Sequence, residues 1–346
     1  MSEICDKYFI ESLASIGKKL NIPDDVAGAT LMAAGSSAPE FFTAIIALFK
    51  VGAESVGVGT IVGSALFNLL VIIGASALVA KAILSWRIII RDLGFYIISL
   101  IVLLFTFSDG TITQNEALLY VIVYGLYLWV LMNWKKWVPT NDAAFSSPEK
   151  TTEEQSSKNN WLWRQIRKIV LLILSYLLPN LQKHPNRYII TFLLSLVYIA
   201  ALSWIMVDLG VFIARGLHVP EAIIALTILA VGTSVPDLLS SIVAARHGYK
   251  NMAVSNALGS NTFNILIGLG CPWLIWIIFS GKDFTVEKGS LWSSSIFLFL
   301  SVILVLLIFL VNRFTIHKKT GYFFIMLYLA YVCYTVLKVT SPELLF

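Results

Sequence analysis

The sequence predicts an all-α polytopic membrane protein with two inverted-topology repeats of about five helices each. Three observations carry this expectation. Of the 346 residues, 58% are hydrophobic and only 13% charged, and the mean hydropathy is +0.82, well beyond soluble globular chains. Uncharged runs long enough to cross or nearly cross a bilayer recur along the chain. Two pairs of polar motifs also recur, at nearly constant spacing and across an odd number of those runs.

The elements follow in order. The N-terminal stretch ICDKYFIESLASIGKK reads as the last half of a helix, too short and too polar to cross alone, and no signal-peptide pattern precedes it. A span around Glu40 comes next, then uncharged runs from Val56 to Ala80, Leu93 to Ser108 and Ala117 to Trp134, which complete a first repeat over 1–134. Residues 135–186 read as a cytoplasmic loop, because VPTNDAAFSSPEKTTEEQSSKNN has the composition of a solvated linker. Its end, with Trp161, Arg164, Arg167 and Lys168 beside a leucine-rich run, fits a helix lying among lipid headgroups. The second repeat, 187–346, holds runs from Tyr188 to Val207, Asn251 to Gly281, Gly289 to Asn312 and Thr320 to Leu337, with a span around Asp237.

Charge and cysteine usage narrow the function. If the half helix ends in the cytoplasm and each later span alternates, 19 of the 25 Lys and Arg fall on cytoplasmic segments. That is positive-inside bias, so the net charge of +5 implies no nucleic-acid partner. Three scattered cysteines and four isolated histidines suggest neither a thiolate metal site nor a redox centre.

The repeat carries the chemistry. GATLMAAGSSAPEFFTAIIALF leads to VGVGTIVGSALFNLLVIIG in the first half, and ALTILAVGTSVPDLLSSIVAAR leads to MAVSNALGSNTFNILIGLG in the second. Thr30, Gly35, Pro39 and Glu40 match Thr227, Gly232, Pro236 and Asp237 at an offset of 197. Gly63, Ser64, Phe67 and Asn68 match Gly259, Ser260, Phe263 and Asn264 at 196. The two copies lie five spans apart, and an odd number of crossings inverts the second. Inverted repeats of this kind mark secondary transporters, with the site near the midplane where the repeats meet.

Pro39 and Pro236 have no amide hydrogen, so the carbonyls of Gly35 and Gly232 are expected to lose their helical partners. Irregular backbone at that depth is tolerated where it lines a site. Ser36, Ser37, Thr233 and Ser234 add hydroxyls, while Ser64 with Asn68 and Ser260 with Asn264 stand four apart on one helical face. Two acids, two amides and several hydroxyls are hard ligands that suit calcium, and smaller subsets suit sodium. An ionised acid near the bilayer centre costs about 2.5–3.5 kcal/mol. One divalent or two monovalent cations would neutralise the pair, so a loaded site would change sides more readily than an empty one. Asp92 reads as a local partner of Arg91, and Asp208 as reaching the outer interface.

These motifs resemble the two alpha-repeats of the cation/calcium exchanger superfamily over nearly the whole chain, the first repeat being most similar to potassium-dependent sodium/calcium exchangers. The resemblance implies a ten-helix exchanger fold with the first helix incomplete, alternating access, and no cofactor beyond the transported ions. It implies Glu40 and Asp237 as central calcium ligands, helped by Ser36 and Thr233. Ser37, Ser64, Asn68, Ser234, Ser260 and Asn264 would complete flanking sodium sites, with backbone carbonyls near Ala33 and Ala230. Potassium-dependent members carry an aspartate where this chain has Asn264, so weak or absent potassium coupling is expected. The family's first span begins well before this N-terminus, which leaves a truncated, non-transporting form as one alternative. A cation/proton exchanger for calcium is another. A channel would need a continuous pore, and an intramembrane enzyme a base near its hydroxyls. The expected setting is the plasma membrane, with an internal organelle as the alternative; the pattern fixes no oligomeric state.

Overall fold

The structure, a computed structural model, describes residues 4, 8–19, 33–50, 54–79, 82–137, 165, 178–179, 187–217, 219–246, 250–286 and 289–340. Thr30, most of the central loop and the headgroup helix expected near Trp161 lie outside the described residues. In chain order the helices are α1 (Ile10–Lys19), α2 (Ala33–Ser36), α3 (Ala38–Leu48), α4 (Glu54–Leu66), α5 (Ile73–Val79), α6 (Trp86–Phe107) and α7 (Gln114–Trp137) in the first half. The second half has α8 (Tyr188–Leu217), α9 (Glu221–Ile224), α10 (Ala230–Thr233), α11 (Val235–Arg246), α12 (Lys250–Leu266), α13 (Gly270–Ser280), α14 (Gly289–Val311) and α15 (Lys318–Thr340). Two π-helical turns, Phe67–Ile72 and Ala225–Leu229, join α4 to α5 and α9 to α10.

Among the described residues seven helices are long and apolar enough to cross a bilayer, and they coincide with the seven uncharged runs. An eighth crossing is the pair Glu221–Thr233 and Val235–Ile242, bent by 41°, which carries Asp237. The span around Glu40 is represented by α3, a shorter apolar helix. Two lengths differ from expectation: α6 begins at Trp86 and not at Leu93, and α8 is longer. Helix α8 runs ten residues past Val207, to Leu217, because Asp208 does not end it: its carboxylate pairs with Lys50, just beyond α3.

The two halves are interwoven. Helix α12 packs on α6, and the equivalent α4 packs on α14. In the same way α15 packs on α5, and α7 on α13. Four two-residue strands, β1 (Ala82–Ile83), β2 (Thr111–Ile112), β3 (Phe284–Thr285) and β4 (Thr315–Ile316), pair as β1 with β4 and β2 with β3, both antiparallel. The repeat exchanges β1 with β3 and β2 with β4, so it turns one ribbon into the other. Each ribbon joins only segments that the charge pattern puts on one side of the membrane, as an inverted repeat requires. The main apolar core lies between the halves and includes Ile61, Leu66, Leu69, Ile265 and Trp273. A separate cluster of Phe9, Ala38 and Ile199 joins the N-terminal segment and α8 to α3.

Candidate cation site

Two interrupted helices bring the acids together. The first stops at Ser37 (φ −91°, ψ 6°) and restarts as α3, with Pro39 in its opening turn. The second stops at Ser234 (φ −84°, ψ 2°) before α11. Near-identical torsions at equivalent residues are the backbone counterpart of the GSSAPE and GTSVPD motifs, and the missing proline N–H accounts for a break at both places. Glu40 and Asp237 therefore fall in the first turns of restarted helices, where unpaired N–H groups favour negative charge.

Neighbouring helices cap these carboxylates. Ser64 Oγ lies 2.9 Å and Ser234 Oγ 3.1 Å from Glu40 Oε1, and the two hydroxyls are within hydrogen-bond reach of each other, so their two protons serve two of these three contacts. Asp237 Oδ1 accepts from Ser260 Oγ at 3.1 Å, and Oδ2 accepts from Asn68 Nδ2 at 2.9 Å. Ser36 stands close to the same carboxylate. Ser36, Ser37, Glu40, Ser64, Asn68, Thr233, Ser234, Asp237, Ser260 and Asn264 are all fully buried. Asn68 stands in the π-helical turn Phe67–Ile72; such turns widen a helix locally and recur at functional sites.

The approach of the halves depends on Gly63. A Cβ there would lie 2.3 Å from the Leu226 carbonyl oxygen and 2.7 Å from the Ala230 Cβ. Only a glycine lets α4 lie against the second half closely enough for Ser64 to reach Ser234.

Four oxygens around the acids have no hydrogen-bond partner: Ser37 Oγ, Glu40 Oε2, Asn68 Oδ1 and Asn264 Oδ1. Asn264 Nδ2 is equally unpartnered. Other expected ligands are engaged elsewhere. Thr233 Oγ1 donates back to the Leu229 and Ala230 carbonyls at 3.1 and 3.2 Å and not to a carboxylate. The Ala230 carbonyl also accepts the Ser234 N–H, and the Ala33 carbonyl accepts the Ser37 N–H at 3.0 Å and Ser36 Oγ at 3.3 Å. Among the described residues no three of His, Cys, Asp and Glu gather at one point; the side chains hydrogen-bonded to the two carboxylates are serines and an asparagine.

Sequence reasoning also missed hydrogen bonds from side chain to backbone between the halves. Asn261 Nδ2 donates to the Ala65 carbonyl at 3.0 Å, and Ser203 Oγ to the Pro39 carbonyl at 3.4 Å. Residues 65 and 261 occupy the same repeat position but differ in type, so a search for matching residues passes over them. Asp92 pairs with Arg91 Nε at 2.7 Å as expected, and also accepts a hydrogen bond from Ser255 on α12.

The pattern has known counterparts. A family profile described as "Sodium/calcium exchanger protein" matches residues 1–133 and 187–337. The chain belongs to the sodium/calcium exchanger family. Among curated relatives of this exchanger, human "Sodium/potassium/calcium exchanger 5" is 30% identical, the match covering 97% of this chain and 80% of the relative. Chicken "Sodium/potassium/calcium exchanger 1" is 26% identical over 96% and 76%. A solved structure of the sodium-calcium exchanger NCX_Mj, soaked with 2.5 mM Na+ and 0.1 mM Ca2+, aligns with a TM-score of 0.59 at 20% identity, covering 96% of this chain and 94% of that one. That likeness establishes the fold.

Proposed function

We propose that this exchanger is a secondary antiporter that moves calcium against sodium by alternating access, with Glu40 and Asp237 as the central calcium ligands. The observation that carries the reading is the set of fully buried, unpartnered oxygens around two fully buried carboxylates. A buried polar atom without a partner costs about 1–3 kcal/mol, and a hard cation supplies the missing interaction to several at once. Glu40 Oε2 and Asp237 provide the charge. Ser36, Ser64, Ser234 and Ser260 provide hydroxyls that turn a lone pair toward an ion when they stop donating to the acids. Ser37, Asn68 and Asn264 supply neutral oxygens suited to sodium at the flanks. Thr233 joins the central set after leaving its backbone partners, and the Ala33 and Ala230 carbonyls retain a second lone pair.

Exchange follows from charge. Two ionised acids without an ion make the switch between faces costly, and either one calcium or two sodium ions cancel them. An inverted repeat relates the two faces, and alternating access uses that relation to open one site to each face in turn. Potassium enters weakly or not at all, since Asn264 brings no third negative charge. The protein acts in the plasma membrane, where a sodium gradient is available.

The test is calcium flux into proteoliposomes with sodium, potassium and proton gradients imposed one at a time. Sodium alone should drive it, and Glu40→Gln should abolish it. Flux driven by a pH gradient in place of sodium would favour the cation/proton reading, and unchanged flux in the variant would sink the ligand assignment.

A further inference from the structure

We propose that the inner half of the molecule carries a staging site for a monovalent cation, built by Ser76, Ser240, Ser241 and Asn256 between Asp237 and the Arg246 end of α11. The inference rests on the exchanger reading above and adds a second place on the ion's path.

The cluster starts one turn beyond Asp237. Ser240 Oγ donates to the Asp237 backbone carbonyl at 3.1 Å. Asn256 Nδ2, on α12, donates to Ser240 Oγ at 3.3 Å and to Ser241 Oγ at 3.1 Å. That fixes the amide so that its oxygen faces away from both hydroxyls. Asn256 Oδ1 has no hydrogen-bond partner, nor has Ser76 Oγ, and both atoms are buried. Their residues are only 7% and 6% exposed, and Ser241 is fully buried. Helix α5, which carries Ser76, packs on both α11 and α12.

The inverted repeat places Ser76 more closely. Its partner position is Pro272, as Ser241 answers to Ala44 and Ala253 to Gly57. On the outer side Ala44, Gly57, Gly268 and Pro272 line one cavity of about 10 Å³. The repeat maps that lining onto Ser241, Ala253, Ile72 and Ser76 on the inner side, where Ala245 packs against Ala253.

The same mapping exposes an asymmetry of chemistry. Ser240, Ser241, Asn256 and Ser76 answer to Thr43, Ala44, Thr60 and Pro272. Of those, Thr60 returns its hydroxyl to the Val56 carbonyl at 2.8 Å, and Ala44 and Pro272 have none to offer. The inner route thus has two unpartnered oxygens and two more hydroxyls, while the outer route keeps only Thr43 Oγ1 unpartnered. An ion leaving Asp237 inward meets neutral oxygens before it regains water. Neutral hydroxyl and amide oxygens replace part of the hydration of a monovalent ion, whereas calcium is held chiefly by carboxylates. Sodium is the ion this set suits.

The test uses the full chain in proteoliposomes of known orientation, with the sodium and calcium KM measured at each face. Ser76→Ala, a small change that keeps a good helix former at that position, and Asn256→Ala should each raise the inner sodium KM by roughly threefold to tenfold, about 1 kcal/mol. The outer sodium KM and both calcium KM values should stay within about twofold by the same reasoning. Equal shifts at both faces, no shift in either variant, or a calcium shift as large as the sodium shift would overturn the site. Absence of sodium-driven calcium flux in the unmodified protein would instead overturn the exchanger reading itself.

Discussion

Glu40 and Asp237 hold equivalent places in the two halves, yet their surroundings differ. Asp237 has both oxygens engaged, one by Ser260 and one by Asn68. Glu40 receives Ser64 and Ser234 on the same oxygen, and its Oε2 has no partner. The difference traces to one pair of amides. Asn68 crosses to the opposite carboxylate, whereas Asn264, its repeat equivalent, makes no such bond. A repeat can therefore conserve residue types while hydrogen bonding divides the labour: Asp237 is tied to both halves through its two oxygens, and the unpartnered atoms gather on Glu40 and Asn264.

The comparison would break first at the acids. Glu40→Gln should lower calcium affinity by about a hundredfold, near 3 kcal/mol, because one buried charge loses its counter-ion site. Melting without ions should stay the same or rise, since a buried charge has gone. Calorimetric calcium titration and thermal unfolding in detergent measure both; an affinity within threefold of the original would place the ion elsewhere. The amides provide the next contrast. Asn68→Ala leaves Asp237 Oδ2 without its donor and should cost about 1–3 kcal/mol of ion-free stability. Asn264→Ala breaks no bond to a protein atom and should cost less, since losing an unpartnered buried amide offsets part of the cavity it leaves. Equal melting shifts would show that the two halves are not divided in this way. Asn264→Asp adds a third buried acid, so its ion-free melting should fall, but its distinctive consequence lies in coupling: calcium flux should become potassium-dependent, read as the ratio of rates with and without potassium. An unchanged ratio would separate this position from potassium altogether.

Much of this arrangement was legible in the sequence, for physical reasons. Pro39 and Pro236 reveal helix breaks because a missing N–H acts locally, and the acids beside them stand out against lipid-compatible neighbours. The pairing of Asn68 with Asp237 was not legible, since it depends on how closely two distant segments approach, which Gly63 permits. Thr233 shows the opposite difficulty: its hydroxyl has local carbonyls within reach, and helix geometry supplies them before any carboxylate does. The extension of α8 past Asp208 was hidden because an acid looks like a span end until its partner, Lys50, is known. The inner polar cluster escaped notice because Ser241 and Asn256 differ in type from Ala44 and Thr60, and a search for similarity discards differences.

The paired strands bear on how the protein's motion can be watched. Each ribbon fastens a loop of one half to a loop of the other at the same face, with Ile83 opposite Thr315 and Thr111 opposite Thr285. Helix α8 has no part in either ribbon and packs mainly with α1 and α3. Spin labels across a ribbon should hold their separation through the transport cycle, while a label at Leu193, half-exposed on α8, should change its distance to them. The ribbons thus serve as internal distance standards, against which a pulsed dipolar experiment can score displacement of α8 in the same sample.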